Sequence, residues 1–414
     1  MKRKVLWSVL GLVGLGAIAS FGFGPAYLEN SMNKIDGEPL IEVSDEARAL
    51  HATLNVVDLH SDTLLWDRNL NDRASRGHMD LPRLQDGNVA LQVFSSVTKT
   101  PKGQNYDANG ADSDNITGLA IVQLQPIKTW NSLLERSLYH ARKLDEAAEQ
   151  SAGALVRIST ATSLDRLLAQ RKDSNKWPEP NAKFVSLPIR PPVGALFSAE
   201  GLQSLEGDAA NLEKLYAAGM RMAGLTHFFD NELAGSMHGL KKGGLTDMGR
   251  ETVGRMEDMG MVVDVAHCSH QCVADILKQA RRPVVSSHGG VQATCKVNRN
   301  LTDDEIRGVA ATGGVIGVGY WEGAVCSTDP RATAKAMKHI RDLVGIEYVA
   351  LGSDYDGATT VRFDTSQLVQ VTQALMDEGF SEAEIRAAMG ENALRVLRAG
   401  LLPMAELMAS EPAA

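Results

Sequence analysis

His60 and Asp62 stand two apart at the end of the apolar run Val56, Val57 and Leu59. Side chains two apart on an extended chain project to the same face. An imidazole nitrogen and a carboxylate oxygen would therefore aim at one point, a mixed donor pair suited to zinc. Glu200, His227, His267, His288 and Asp354 carry the same kind of chemistry. Three histidines, one aspartate and one glutamate are enough for two ions that share a carboxylate. His60 and Asp62 would hold one ion, His267 and His288 the other, and Glu200 would bridge. Two ions about 3.5 Å apart can share a hydroxide and polarise a carbonyl, and the bound water's pKa would fall to about 7. Alone, His-x-Asp is a pattern that a solvated turn also produces. The reading depends on whether the chain brings the other residues to the same place.

Short runs rich in Val, Ile and Leu begin near 55, 89, 193, 221, 261, 284, 315 and 349, which makes about eight strands. Helical segments are expected between or after them over 212–219, 246–259, 302–312, 332–344, 365–377 and 381–398, with Thr246 as an N-cap. Strand–helix alternation implies a parallel sheet covered by helices. Eight such strands predict an α/β fold, a closed (β/α)8 TIM-type barrel, rather than an open sheet. Every candidate named above falls at the C-terminal end of a predicted strand, which is the active-site face of such a barrel. No Gly-x-Gly-x-x-Gly follows the first strand, so the glycines do not argue for a dinucleotide fold. Residues 98–115 read as a long surface loop, expected to be a mobile insertion without chemistry. Residues 116–150 carry helical periodicity, and the proline-rich stretch 174–192 reads as irregular connection.

The net charge of −9 includes the basic Lys2-Arg3-Lys4, and no basic patch remains without them, which argues against a nucleic-acid partner. Those three residues precede an uncharged apolar run over 5–23, the pattern of an export signal or an N-terminal membrane anchor. Ala17-Ile18-Ala19 offers a cleavage site before Ser20. The expected location is the periplasm or the outer face of the cytoplasmic membrane. The expected organisation is an export or anchor segment over 1–24, a linker over 25–48, the barrel over 49–400 and a tail over 401–414. An exported chain could pair Cys268, Cys272, Cys295 and Cys326, but spacing does not give the pairing and suits a Cys268–Cys272 bridge poorly; buried free thiols are the default expectation. His51, His78, His140 and His339 carry no spacing argument for a site, and neither does His238; His270 is given at most a supporting role.

The segments VDLHSDTL, AEGLQSLEG, GLTHFFDN, VDVAHCSH, PVVSSHGG, VNRNLTDDEI and LGSDYDG follow one another over nearly the whole exported part of the chain. In order and spacing they resemble the renal (membrane) dipeptidase family, zinc peptidases of the metal-dependent amidohydrolase superfamily. The resemblance implies two Zn2+ per chain and hydrolysis of L-Xaa-L/D-Xaa dipeptides by a metal-bridged hydroxide. It implies that His60, Asp62, Glu200, His267 and His288 are metal ligands. It implies that His227 steadies the oxyanion, Arg299 grips the terminal carboxylate and Asp354 carries the proton, with Asp356 its rival. A guanidinium fork suits a carboxylate as lysine does not. Homodimer formation and membrane attachment through the N-terminal segment stand as further expectations. Ser61 departs from the family's more usual Asn, Gly201-Leu202 from its Gly-Gly, and 98–115 has no family counterpart. The alternatives are an amidohydrolase or lactonase acting on a non-peptide substrate, and an inactive metal-binding protein.

Overall fold

Eight runs of β-branched and apolar residues become the staves of a closed parallel barrel in the computed structural model, which describes residues 19–174 and 190–402. They are β1 (Val56–Asp58), β2 (Val89–Val97), β3 (Val193–Glu200), β4 (Met220–Gly224), β5 (Val262–Asp264), β6 (Val285–Ser286), β7 (Val315–Val318) and β8 (Val349–Leu351). All eight coincide with runs read from the sequence. The ring closes where Leu351 of β8 pairs with Asp58 of β1, and where β2 pairs with β3 from Leu91 opposite Gly194 to Val97 opposite Glu200. A barrel strand faces the lumen on one side and helices on the other, so it has no wet face to fill with polar residues. Every residue of β2 and β3 is accordingly buried. Val57, Leu91, Leu196, Val285 and Val315 pack in one cluster with Val396 and Leu397 of the helix Asn392–Gly400. That helix closes the end of the barrel away from the site.

The helices start where the sequence places their caps. Thr246 accepts the Gly249 amide at the head of Asp247–Asp258, and Thr302 with Glu305 forms a capping box on Asp303–Ala311. The periodic run over 116–150 is three helices, Ile116–Val122, Lys128–Asn131 and Leu133–Gln150. Pro126 cannot donate an amide, and Ser132 starts the third helix by accepting the Glu135 amide. The final stretch is one continuous helical run, Glu382–Arg386 and Asn392–Gly400 joined by a π-helical turn at Ala387–Glu391. An additional strand, Leu155–Arg157, pairs with the first residues of β3 outside the barrel.

Three expectations are corrected. Residues 25–48 are not a linker. The helix Gly24–Met32 leads into Lys34–Ile35, which pairs with Thr360–Val361, and Glu29 is buried between Arg68 and Arg76. Cys295 and Cys326 are not free thiols but a disulfide, because the loops after β6 and β7 bring their Cα atoms to 5.4 Å across a separation of 31 residues. Cys268 and Cys272 are free and buried. Residues 98–115 are held in place: Asn109 donates its amide to the His238 carbonyl at 2.8 Å, and Asn298 donates to the Tyr106 carbonyl at 3.0 Å. Ala17 and Ile18 of the expected cleavage site with most of the run 5–23, the stretch 175–189 and the tail from 403 lie outside the described residues. Among the described residues no helix is long and apolar enough to cross a membrane.

Candidate metal centre

Each candidate ligand ends a barrel strand or lies in the turn just after one, and buried carboxylates fix two of the turns that carry them. Asp58, the last residue of β1, accepts the amides of His60 and of Ser353 at 3.0 Å each. Asp264, the last residue of β5, accepts the amides of Ala266 and Ser287 at 3.0 and 2.9 Å. Each aspartate thereby ties a ligand-bearing turn to the exit of the neighbouring strand. Sequence reasoning missed both, although Val-Val-Asp stands before His60 and again before His267.

Glu200 ends β3 and lies at the centre of the cluster. Its Oε1 is 2.8 Å from His267 Nε2, 3.2 Å from His288 Nε2 and 3.6 Å from His60 Nε2. Its Oε2 is 3.3 Å from His227 Nε2, and His60 Nε2 is 3.3 Å from Asp62 Oδ1. The donor atoms fall into three overlapping buried groups: His60, Asp62, Glu200; Glu200, His267, His288; and His60, His288, Asp354. All seven residues first singled out from strand ends therefore meet at one place.

The arrangement fits a metal centre. His60 Nε2, Asp62 Oδ1 and Glu200 Oε2 are buried without a hydrogen-bond partner, although buried polar atoms are ordinarily satisfied. His267 Nε2 and His288 Nε2 face each other at 3.0 Å, a contact that two neutral acceptor nitrogens make only around a shared cation or proton. Burial and then the charge of Glu200 push Asp62 up to about 7. Burial and then Asp62 hold Asp354 well above the carboxylate range. Burial opposes charge on His60, but Glu200 and Asp62 outweigh it and raise its pKa to about 10. The same competition leaves Glu200 well below its usual range, burial being overcome by His227 and His60. Burial lowers His227, His267 and His288. The cluster is short of positive charge.

A hydrogen-bonded chain orients one ligand. Ser287 Oγ donates to Asp264 Oδ2 at 2.5 Å and lies 2.9 Å from His288 Nδ1. Its single proton goes to the carboxylate, so it accepts from His288 Nδ1–H. That leaves the Nε2 lone pair facing the cluster, the tautomer a metal requires.

A cavity of about 1040 Å³ opens over the cluster and is lined by Asp62, Glu200, His227, His267 and Asp354. Arg299 lines it too, its guanidinium 4.8 Å above the Trp321 ring and its Nη1 buried without a partner. An unpaired buried cation with a free donor is a receptor for an anion. Asp356 has a different place: it accepts from the Thr63 hydroxyl at 2.7 Å and the His78 amide at 2.6 Å and pairs with Arg68, away from the cluster. His270 pairs with Glu305 at the surface. His51, His140 and His339 are bonded to Thr372, Ser96 and Asp303.

Three contributors had no sequence signal. His238 stacks on Phe228 at 4.6 Å and meets the His267 ring edge-on at 5.2 Å. Gln104, Asn105 and Tyr106 of the 98–115 loop line the cavity, as do Leu28 and Met32 of the N-terminal helix.

Residues 44–403 match the family described as Membrane dipeptidase (Peptidase family M19). The chain belongs to this membrane dipeptidase family. It is 33% identical over 215 residues to the dipeptidase aclJ of Aspergillus oryzae, a match covering 50% of this chain and 51% of that protein, so it spans about half the length of that relative. The fold resembles that of the probable dipeptidase PvdM from Pseudomonas aeruginosa, with TM-score 0.68 and 18% identity over 86% of this chain and 97% of that one. It also resembles a metallo peptidase from Rhodobacter sphaeroides liganded with a phosphinate mimic of the dipeptide L-Ala-D-Ala, with TM-score 0.65 and 21% identity over 84% and 99%. Likeness at these identities concerns the fold.

Two points at which this membrane dipeptidase family member departs from the usual motifs are explained by packing. Ser61 Oγ donates to the Val93 carbonyl at 3.4 Å, away from the ligands. Gly201 has φ +83°, a conformation that favours glycine, while Leu202 is buried in the core.

Proposed function

We propose that the protein is an exported dipeptidase that hydrolyses the single peptide bond of L-Xaa-L/D-Xaa dipeptides with two zinc ions. The observation that carries this reading is the unpartnered guanidinium of Arg299 in the same cavity as the Glu200 cluster. It reserves one end of the cleft for a carboxylate. His60 and Asp62 would hold one ion, His267 and His288 the other, with Glu200 between them. Zinc in such a site lowers the pKa of water and polarises a carbonyl.

The chain's own residues do the rest. Arg299 binds the terminal carboxylate bidentately and so fixes where the scissile bond lies. His227, a neutral imidazole with one N–H, donates to the carbonyl oxygen as negative charge develops there. Asp354 takes a proton from the attacking water and returns it to the leaving amine. The buried walls keep these charges strong by excluding bulk water.

Dipeptides compared with their C-terminal amides test the reading. Amidation is expected to abolish turnover, and amides cleaved as fast as acids would refute it. Metal analysis is expected to give two ions per chain. Export is supported by Lys2-Arg3-Lys4 ahead of the run 5–23 and by the Cys295–Cys326 disulfide, a bond favoured outside the cytoplasm. Cell fractionation checks it.

A further inference from the structure

We infer that the N-terminal segment 24–36 is a positioning element for Asp354, with Asn33 its main contact; this rests on reading Asp354 as the proton carrier. Asp354 lies in the loop after β8, not on a strand. In that loop Asp354, Asp356 and Ala358 all have positive φ, at 55°, 63° and 60°. Such conformations cost free energy for residues with a Cβ and persist only where the surroundings impose them.

Two sets of contacts impose them here. From the barrel side, the Trp66 indole donates to the Asp356 carbonyl at 2.6 Å, beside the bonds from Thr63 and His78 to the Asp356 carboxylate. From the other side comes the N-terminal segment. Asn33 Oδ1 accepts the Ala358 amide at 2.8 Å, and the Lys34 amide donates to the Thr359 carbonyl at 3.1 Å. Lys34–Ile35 then pairs with Thr360–Val361. Glu29, 1% exposed, holds Arg68, which in turn pairs with Asp356.

The loop has no slack between these anchors and the carboxylate. A Cβ on Gly357 would lie 2.1 Å from Asp354 Oδ1, so the backbone next to Ala358 is packed against the very group that moves the proton. A displacement of Ala358 is passed to Asp354. Asn33 thereby acts through the loop, while Leu28 and Met32 of the same segment line the cavity wall.

The test uses the zinc-loaded full chain. Asn33→Leu removes the acceptor at similar size, and Asn33→Asp keeps it. For Asn33→Leu we expect kcat to fall by about tenfold or more with KM and bound zinc within about twofold, since small misplacements of a reacting group cost rate and not binding. Asn33→Asp is expected to recover kcat, and the reference Asp354→Asn to be inactive. Asn33→Leu at the wild-type rate, with Asp354→Asn inactive, overturns the positioning role alone. A folded Asp354→Asn at the wild-type rate overturns the proton-carrier reading and the inference with it. Loss of kcat in Asn33→Leu that is matched by loss of zinc also overturns it. If circular dichroism shows Asn33→Leu unfolded, Glu29→Gln is read by the same criteria.

Discussion

Asp264→Asn is expected to weaken zinc binding by reversing a proton, with the fold intact. In the native chain the Ser287 hydroxyl gives its proton to Asp264 Oδ2 at 2.5 Å and accepts from His288 Nδ1 at 2.9 Å. Asparagine keeps the oxygen that accepts the amides of Ala266 and Ser287. Its NH2 replaces the other oxygen and must donate to Ser287 Oγ. The hydroxyl proton then turns to His288 Nδ1, and the ring proton moves to Nε2, where it occupies the lone pair meant for the ion. Losing such an outer partner costs roughly 10–100-fold in metal affinity, or about 1.4–2.7 kcal/mol. Chelator-competition titration of zinc measures it, and thermal melts of the metal-free proteins show whether the fold is unchanged. Ser287→Ala removes the hydroxyl through which the asparagine acts, so Asp264→Asn is expected to cost much less in a Ser287→Ala background. Wild-type zinc affinity in Asp264→Asn would refute the reasoning, and so would an equal loss in both backgrounds.

Arg299→Met is expected to raise KM for dipeptides by roughly 10–100-fold with a smaller change in kcat, because a charge-assisted contact to the carboxylate is worth about 1.5–3 kcal/mol; unchanged KM would separate Arg299 from substrate binding. Burial lowers His51 to about 4 despite its bond to the Gly87 carbonyl, and burial lowers His140 to about 3. Both stay neutral in the folded state, so their contribution to stability is complete above about pH 6.5 and is lost progressively as pH falls from there through those folded values. For His51 the loss amounts to about 3 kcal/mol. Denaturant midpoints from pH 7 to 4.5 should fall less in His51→Gln than in the wild type, and parallel slopes would sink this account. Reducing the Cys295–Cys326 bond opens a 31-residue separation, for which chain entropy predicts a loss of about 3–4 kcal/mol. A Cys295→Ser, Cys326→Ser double variant should show the same loss and no further response to reductant.

That the candidate residues would meet was legible because a barrel sorts its residues in a way the sequence preserves. His60, Glu200, His267 and His288 each follow an apolar run at the point where a strand must end, and only one end of a barrel strand meets the site. Arg299 was legible through its motif, not through any spacing rule. What stayed hidden depends on contacts between distant parts of the chain. Asn33 meets Ala358 across a separation of 325 residues, and nothing local to 25–48 distinguishes it from a connector. The polar 98–115 segment has a composition that suits a mobile loop, yet Asn109 and Tyr106 spend their hydrogen bonds on His238 and Asn298. Cys295 and Cys326 are joined by the geometry of two loops rather than by spacing.

The pair of buried aspartates explains why so exact a cluster can be built from turns. Short β1 and β5 end in the same three residues, Val56-Val57-Asp58 and Val262-Val263-Asp264, and each aspartate accepts the amide two residues ahead. Each also accepts an amide from the next strand's exit, at Ser353 and at Ser287. A carboxylate that receives several donors can remain buried where an unpartnered one would not. Burial raises the pKa of both, and the hydrogen bonds oppose that rise. The two clamps lie at separate places around the ring, β1 with β8 and β5 with β6. Between them they fix the turns of His60, His267 and His288 and the start of the loop that carries Asp354. Glu200, arriving from β3, needs no clamp of its own: seven ladder pairs with β2 run up to Glu200 itself, opposite Val97. Glu200, at the centre of the cluster, is thus held by sheet, and the histidines around it are brought there by turns that buried aspartates fix.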